Sequence, residues 1–212
     1  MPTEDARQTG GTRRLAVVLA RYGAAPGAPP GIDPGAFATA CLADSYEVAA
    51  ELTDVEAGIA GPPNVAELLW PGDGWWPGEI SLPALAGQLT EDADELVLLA
   101  ADVPDLPGLV LAKIFKALRH ADVVVAPERR GDGCVALGLR LPMAGWVPAH
   151  ALDLDRNPYP PLLAAAPSRR HCALAPDWHR LRTPAAVHLL DPGLEGWEQT
   201  RALLSGSPLA GG

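Results

Sequence analysis

No stretch of this sequence approaches the ~20 consecutive apolar residues that a helix needs to cross a bilayer. The opening segment, Met1 to Arg14, is polar and lacks the apolar core of a secretion signal. These absences predict a cytoplasmic protein with no membrane partner. Cysteine is scarce: Cys41, Cys134 and Cys172 stand far apart and form no Cys-x-x-Cys pair. That argues against a zinc knuckle or a disulfide framework and leaves each thiol as a small apolar core residue. Positive charge is scarce too, with 16 Lys and Arg against 26 Asp and Glu, a formal net charge of -10. The basic residues occur as isolated short pairs, whereas a nucleic-acid partner requires clustered cations to neutralise phosphates. Nucleic acid is therefore excluded as a partner. A small anionic ligand is not, because backbone N–H groups, a few arginines or a divalent cation can invert the local sign. His171, His179 and His188 have no metal-ligand spacing, and no Gly-x-Ser-x-Gly elbow accompanies them. They read as structural or surface residues.

What the sequence does contain is short buried-strand signals separated by helical ones. At 212 residues with 48% hydrophobic composition, the chain can bury one substantial core, and the 22 Gly and 23 Pro imply many loops. Residues 1–13 are expected to form a disordered lead, 14–205 a single domain and 206–212 a flexible tail. Leu15 to Ala20, Val55 to Ala60, Glu95 to Ala101 and Asp122 to Ala126 are continuous apolar runs of strand length, the mark of strands buried on both faces. A helix is predicted from Gly35 to Leu52, with Asp33 before Pro34 as its start signal. A second is predicted from Leu106 to Arg119, with Leu109, Val110, Ile114 and Leu118 on one face. Shorter helical turns are expected at Val65 to Trp70 and Leu82 to Leu89, and a closing helix at Gly193 to Leu204. Residues 71–78 hold Pro and Gly at a density that predicts a loop. Cys134 to Leu141, His171 to Ala175 and Ala186 to Leu190 are further strand candidates. The alternation implies an α/β fold: a single-domain, mostly parallel open sheet flanked by helices.

In such sheets ligands bind at the carboxyl ends of the strands, which singles out two segments. Ala20, Arg21 and Gly23 open the loop after the first strand, and Asp102 follows the strand at Glu95 to Ala101 directly. A carboxylate anchored there is suited to holding Mg2+ or Mn2+ against a diphosphate. Asp105 is expected to cap the helix that follows. Arg129 and Arg130, in the turn Glu128 to Gly133, either clamp a phosphate through their planar forks or form a solvated pair. Trp75 and Trp76 either stack a ring or fold back over their own core.

The run Asp102-Val-Pro-Asp105-Leu-Pro107, a helix, Ala121-Asp-Val-Val-Val-Ala-Pro127, Gly131-Asp132-Gly133 and an apolar strand together resemble the second half of the GT-A-type nucleotide-diphospho-sugar transferases. The similarity is to the bacterial glycosyltransferase-like family with Gly-x-Asp-x-Pro-x-Leu-Pro at a strand end, and to the 2-phospholactate guanylyltransferases. It is good over residues 95–141 and weak over 14–60. The resemblance implies a Rossmann-like GT-A fold and a transferase that moves a glycosyl or nucleotidyl group from a nucleotide-activated donor to a small acceptor. It further implies Mg2+ or Mn2+ bound at Asp102, and Gly131, Asp132 and Gly133 near the acceptor or the phosphates. Two departures accompany it. The Lys-Thr-Arg-Leu-like basic stretch of these families is replaced by a loop whose only cation is Arg21. The late Asp-x-Asp-Thr segment that helps hold the metal is matched here to Leu189-Leu190-Asp191-Pro192-Gly193, which makes Asp191 a remnant ligand. These departures raise the alternative of a catalytically degenerate binding or regulatory module.

Overall fold

In a computed structural model describing residues 11–78 and 81–206, seven strands form one sheet in the order β3-β2-β1-β4-β6-β5-β7. They are β1 Arg14–Leu19, β2 Glu56–Gly61, β3 Gly74–Pro77, β4 Glu95–Ala100, β5 Val123–Pro127, β6 Cys134–Arg140 and β7 Cys172–Leu174. The lead over residues 1–10 and the tail over 207–212 lie outside the described residues. Arg13 donates its backbone N–H to Asp94 at 2.8 Å, which ties the start of β1 to the turn before β4.

The helices are α1 Pro34–Ala50, α2 Leu82–Gln88, α3 Gly108–Leu118, α4 Tyr159–Ala165 and α5 Glu198–Leu204. α1 starts where the sequence signals it: Asp33 accepts from the Ala36 N–H at 2.8 Å and Pro34 takes the first helical position, where a missing N–H costs nothing. α3 turns Val110, Leu111, Ile114, Phe115 and Leu118 into the core. Gly138 of β6 permits its close approach, since a Cβ there would collide with Ile114. The central strands β1 and β4 are buried along nearly their whole length, which is why they read as unbroken apolar runs. Among the described residues no helix is long and apolar enough to cross a membrane.

The sheet is mostly parallel, with one inversion: β6 runs antiparallel to both β4 and β5. The unit β4-α3-β5 is thus split, its parallel strands separated by β6 rather than adjacent. Other expectations are corrected. Residues 74–77 form a parallel edge strand beside β2, despite their Pro and Gly content. Gly58 and Gly74 leave room for the Trp76 ring, which folds back over them. The apolar run at Ala186 to Leu190 belongs to a 3-10 helix, Pro184–Leu189, because Pro184 sets its first turn. The closing helix is shorter than predicted and begins at Glu198.

Candidate functional site

The carboxyl ends of β1, β2 and β4 open onto two cavities that share Arg21. One, of about 310 Å³, is lined by Leu19, Ala20, Arg21, Ala60, Gly61, Pro62 and Gly78. Its wall is apolar and backbone-rich, and Gly61 is required there because a Cβ would press on Ala20. Trp75, 38% exposed, donates its indole N–H to the Gly61 carbonyl at 3.3 Å, fixing the rim. The other cavity, of about 290 Å³, lies over β4 and is lined by Arg21, Tyr22, Gly23, Pro26, Asp102, Asp155, Arg180 and Arg182. Arg21 sits over the Tyr22 ring, 4.7 Å from its centroid.

Asp102 is positioned as the sequence implies, at the end of β4, and is 1% exposed. Its Oδ1 accepts from Arg180 Nε at 2.7 Å. Arg180 is itself buried, and its Nη1 donates to the Leu154 carbonyl at 2.9 Å, to Asp155 Oδ1 at 3.1 Å and to the Cys134 carbonyl at 3.4 Å. Arg182, two residues on, donates from Nη2 to Asp155 Oδ1 at 2.7 Å, and its Nε lies 3.5 Å from Glu128 Oε2. The backbone holds the same segment: the Leu181 N–H donates to the Asp102 carbonyl at 2.9 Å. Gly27, in the loop after β1, packs against the Leu181 carbonyl so closely that a Cβ would overlap it.

Burial pushes the Asp102 carboxyl up from the ordinary carboxylate range, and the Arg180 guanidinium pulls against it. Burial likewise works against the Arg180 charge, and the carboxylates of Asp102, Asp155 and Glu128 more than offset it. A guanidinium does not lose its proton in proteins, so Arg180 presents its full positive charge to Asp102 at 2.7 Å. Tyr22 is pushed up to about 12, chiefly by burial, and its hydroxyl donates to Asp153 at 3.1 Å.

The structure brings Ala20, Arg21, Gly23 and Asp102 to these two cavities. The turn after β5 is divided. Gly133 abuts the site, with its ideal Cβ 2.6 Å from Arg182 Nη2, and Gly131 abuts the Glu128 carboxyl group. Arg129 is drawn aside by Asp177 at 3.2 Å and by the Trp178 ring, while Arg130 and Asp132 are exposed. Asp191 is not at the Asp102 cavity. Its backbone N–H donates to Asp105 Oδ2 at 3.2 Å and its Oδ1 accepts from Gly193 at 2.8 Å. Asp105 does not cap α3, whose N-cap is Pro107. It is a buried acceptor that also holds the Trp178 indole at 3.1 Å and faces His179 Nε2 at 2.9 Å.

The segment facing Asp102 is instead Arg180-Leu181-Arg182-Thr183, ahead of the 3-10 helix at Pro184–Leu189. It has the spacing of the Asp-x-Asp-Thr pattern with a guanidinium in place of each carboxylate. Sequence reasoning misses Asp155, Arg180 and Arg182; alternating arginines before Thr-Pro are the available signal for the last two.

These residues do not fit Mg2+ or Mn2+. Such ions take oxygen ligands, mostly carboxylate, phosphate and water, and the carboxylates at this cleft sit among arginines. Asp102 and Asp155 each accept guanidinium bonds through Oδ1. A dication placed there would meet like charge at close range.

This architecture recurs in known structures. A structure described as a nucleotide-diphospho-sugar transferase, from Desulfovibrio desulfuricans G20, superposes with a TM-score of 0.60 over 92% of this chain and 98% of its own, at 15% identity. The chain has the nucleotide-diphospho-sugar transferase fold. A manganese complex of Rv0371c from Mycobacterium tuberculosis H37Rv gives a TM-score of 0.53 at 16% identity, covering 92% of this chain and 100% of its own. A 4-diphosphocytidyl-2C-methyl-D-erythritol synthase gives 0.53 at 13% identity, covering 92% and 98%. In sequence, a phosphoenolpyruvate guanylyltransferase of Chloroflexus aggregans is 32% identical over 83 residues, which is 39% of this chain and 34% of that relative. The matched stretch thus spans about a third of the relative's length. No family model matches the chain.

Proposed function

We propose that the chain binds a nucleoside triphosphate across the two cavities and transfers its nucleotidyl group to a small acceptor. The observation that carries this reading is the shared Arg21: an apolar, backbone-rimmed cavity of base size on one side, and three guanidiniums against two carboxylates on the other. The base would enter between the ends of β1 and β2, and the phosphates would lie over β4 toward Arg21, Arg180 and Arg182. In the transfer an acceptor oxygen attacks the α-phosphorus, the bond to the bridging oxygen of the β-phosphate breaks, and pyrophosphate leaves with that electron pair. Fixed cations near the departing pyrophosphate stabilise the charge it develops. The stretch shared with a guanylyltransferase favours nucleotidyl over glycosyl transfer and a nucleoside triphosphate over a nucleotide-sugar.

A second reading, a catalytically degenerate binding or regulatory module, is favoured by the neutralisation of Asp102 by Arg180. Pyrophosphate release separates the two. The purified protein, incubated with each of the four ribonucleoside triphosphates and a panel of small phosphorylated and carboxylate acceptors, is expected to release pyrophosphate with one pairing. Ala20→Phe, which fills the base cavity, is expected to abolish that release. Binding without release from any pairing would favour the module reading, and failure of the wild-type protein to bind any of the triphosphates would sink the transferase reading.

A further inference from the structure

We propose that Arg180 and Arg182 supply the positive charge at the end of β4 that a divalent ion would otherwise supply, so that the cleft binds nucleotide phosphates through guanidiniums and without metal. The inference rests on the nucleotide reading above and adds to it the means of charge neutralisation.

The charge count comes first. An acidic cavity would repel a triphosphate until a dication entered, but here the three arginines lining the cavity already balance its two aspartates and the Glu128 carboxylate 3.5 Å from Arg182. Rigidity comes second. Arg180 is 2% exposed at its side chain and is bonded to Asp102 just beyond β4, to β6 at Cys134 and to the 152–157 loop at Leu154 and Asp155. A cation so held costs little reorganisation when an anion arrives, which is what a bound metal ion otherwise provides. Third, donors remain. Arg180 uses Nε and Nη1, and Arg182 bonds through Nη2. Neither Arg180 Nη2 nor Arg182 Nη1 makes a hydrogen bond to a described residue, and Arg182 is 32% exposed at its side chain. Arg21, over Tyr22, makes no hydrogen bond to a described residue either. Planar guanidinium forks are matched to phosphate oxygens.

The segment is also built to stay. Gly27 and Gly133 each lack the Cβ that would displace it, and the Leu181 N–H is bonded to the Asp102 carbonyl. Asp102 thus acts as a positioning residue: its carboxylate orients Arg180 rather than a metal ion.

The test is isothermal titration of the full chain with each of the four ribonucleoside triphosphates and with inorganic pyrophosphate, in EDTA and in MnCl2. The expected result is binding in EDTA within about threefold of that in MnCl2. Arg182→Ala should weaken binding in EDTA by roughly tenfold to a hundredfold, the loss of one or two charge-assisted bonds. Arg182→Lys should fall between, keeping the charge without the fork. Binding that requires MnCl2 would overturn this inference and leave the nucleotide reading standing. Unchanged affinity of Arg182→Ala in EDTA would overturn it as well. No binding in either buffer would overturn both readings together.

Discussion

Exchange of Arg180 for methionine is expected to lower the stability of the protein by about 3–5 kcal/mol, the usual cost of leaving a buried charge without its partner. The side chains of Asp102 and Arg180 are only 1% and 2% exposed, so water cannot take over the lost contact. Methionine fills the stem volume but supplies none of the bonds to Asp102, Leu154, Cys134 and Asp155. Urea unfolding measures the loss. The double variant Asp102→Asn/Arg180→Met should recover a large part of it, because the orphaned charge is then gone, although the freed carbonyls of Leu154 and Cys134 still cost something. A loss below about 1 kcal/mol in Arg180→Met would contradict the ion pair as a fixed part of the fold.

The second large effect concerns Asp44, which lies fully buried in α1 and accepts from the backbone N–H groups of Gln199 at 3.0 Å and Thr200 at 2.8 Å. Burial pushes its carboxyl up to about 6, against the bonds from Thr200 and Gln199 that favour the ionised form. In the unfolded chain the same group titrates near 4. Between those values the folded state holds a proton that the unfolded state has released, so stability falls as pH rises from about 4 to about 6 and then levels. The difference of about two units corresponds to about 3 kcal/mol. Asp44→Asn removes the titration while keeping one acceptor for the first turn of α5. Unfolding free energies of the two proteins, measured from pH 4 to pH 7, should therefore diverge, with the wild type losing ground to the variant as pH rises. Parallel curves would show that Asp44 ionises in the folded state as it does in the unfolded chain.

Much of this fold is legible because its central strands are buried on both faces. β1, β4 and β5 are continuous apolar runs, and each announces itself without help from its neighbours. The start of α1 is legible for a local reason as well, since Asp33 and Pro34 act on the turn they begin. β3 is not legible: Gly74 to Pro77 is held by backbone pairing to β2, and its glycine accommodates a tryptophan ring from its own strand. The insertion of β6 between β4 and β5 leaves no trace in local pattern either, because an antiparallel and a parallel buried strand carry the same residues.

The site divides along the same line. Asp102 and Arg21 are readable as strand-end residues, since the end of a buried strand is a local property. Arg180 is 78 residues from Asp102, and nothing in either sequence neighbourhood names the other. The acidic pattern expected late in the chain was matched at Asp191, where an aspartate is present. The structure puts opposite Asp102 a segment of equal spacing and opposite charge, and a search for carboxylates passes over it. Asp105 is a similar case. Its position before a helix suggests a cap, but the chain folds back on it with Trp178 and His179, and those tertiary bonds take precedence over the local one.

The measurement that tests the central claim most directly is a crystal structure of the protein soaked with a triphosphate that it binds, in the presence of MnCl2, with anomalous data collected at the manganese edge. The account predicts phosphate oxygens within hydrogen-bonding distance of Arg182 and of Arg180, the Arg180–Asp102 pair intact, and no anomalous peak at Asp102. A manganese peak on the Asp102 carboxylate, with Arg180 turned away to admit it, would contradict the account.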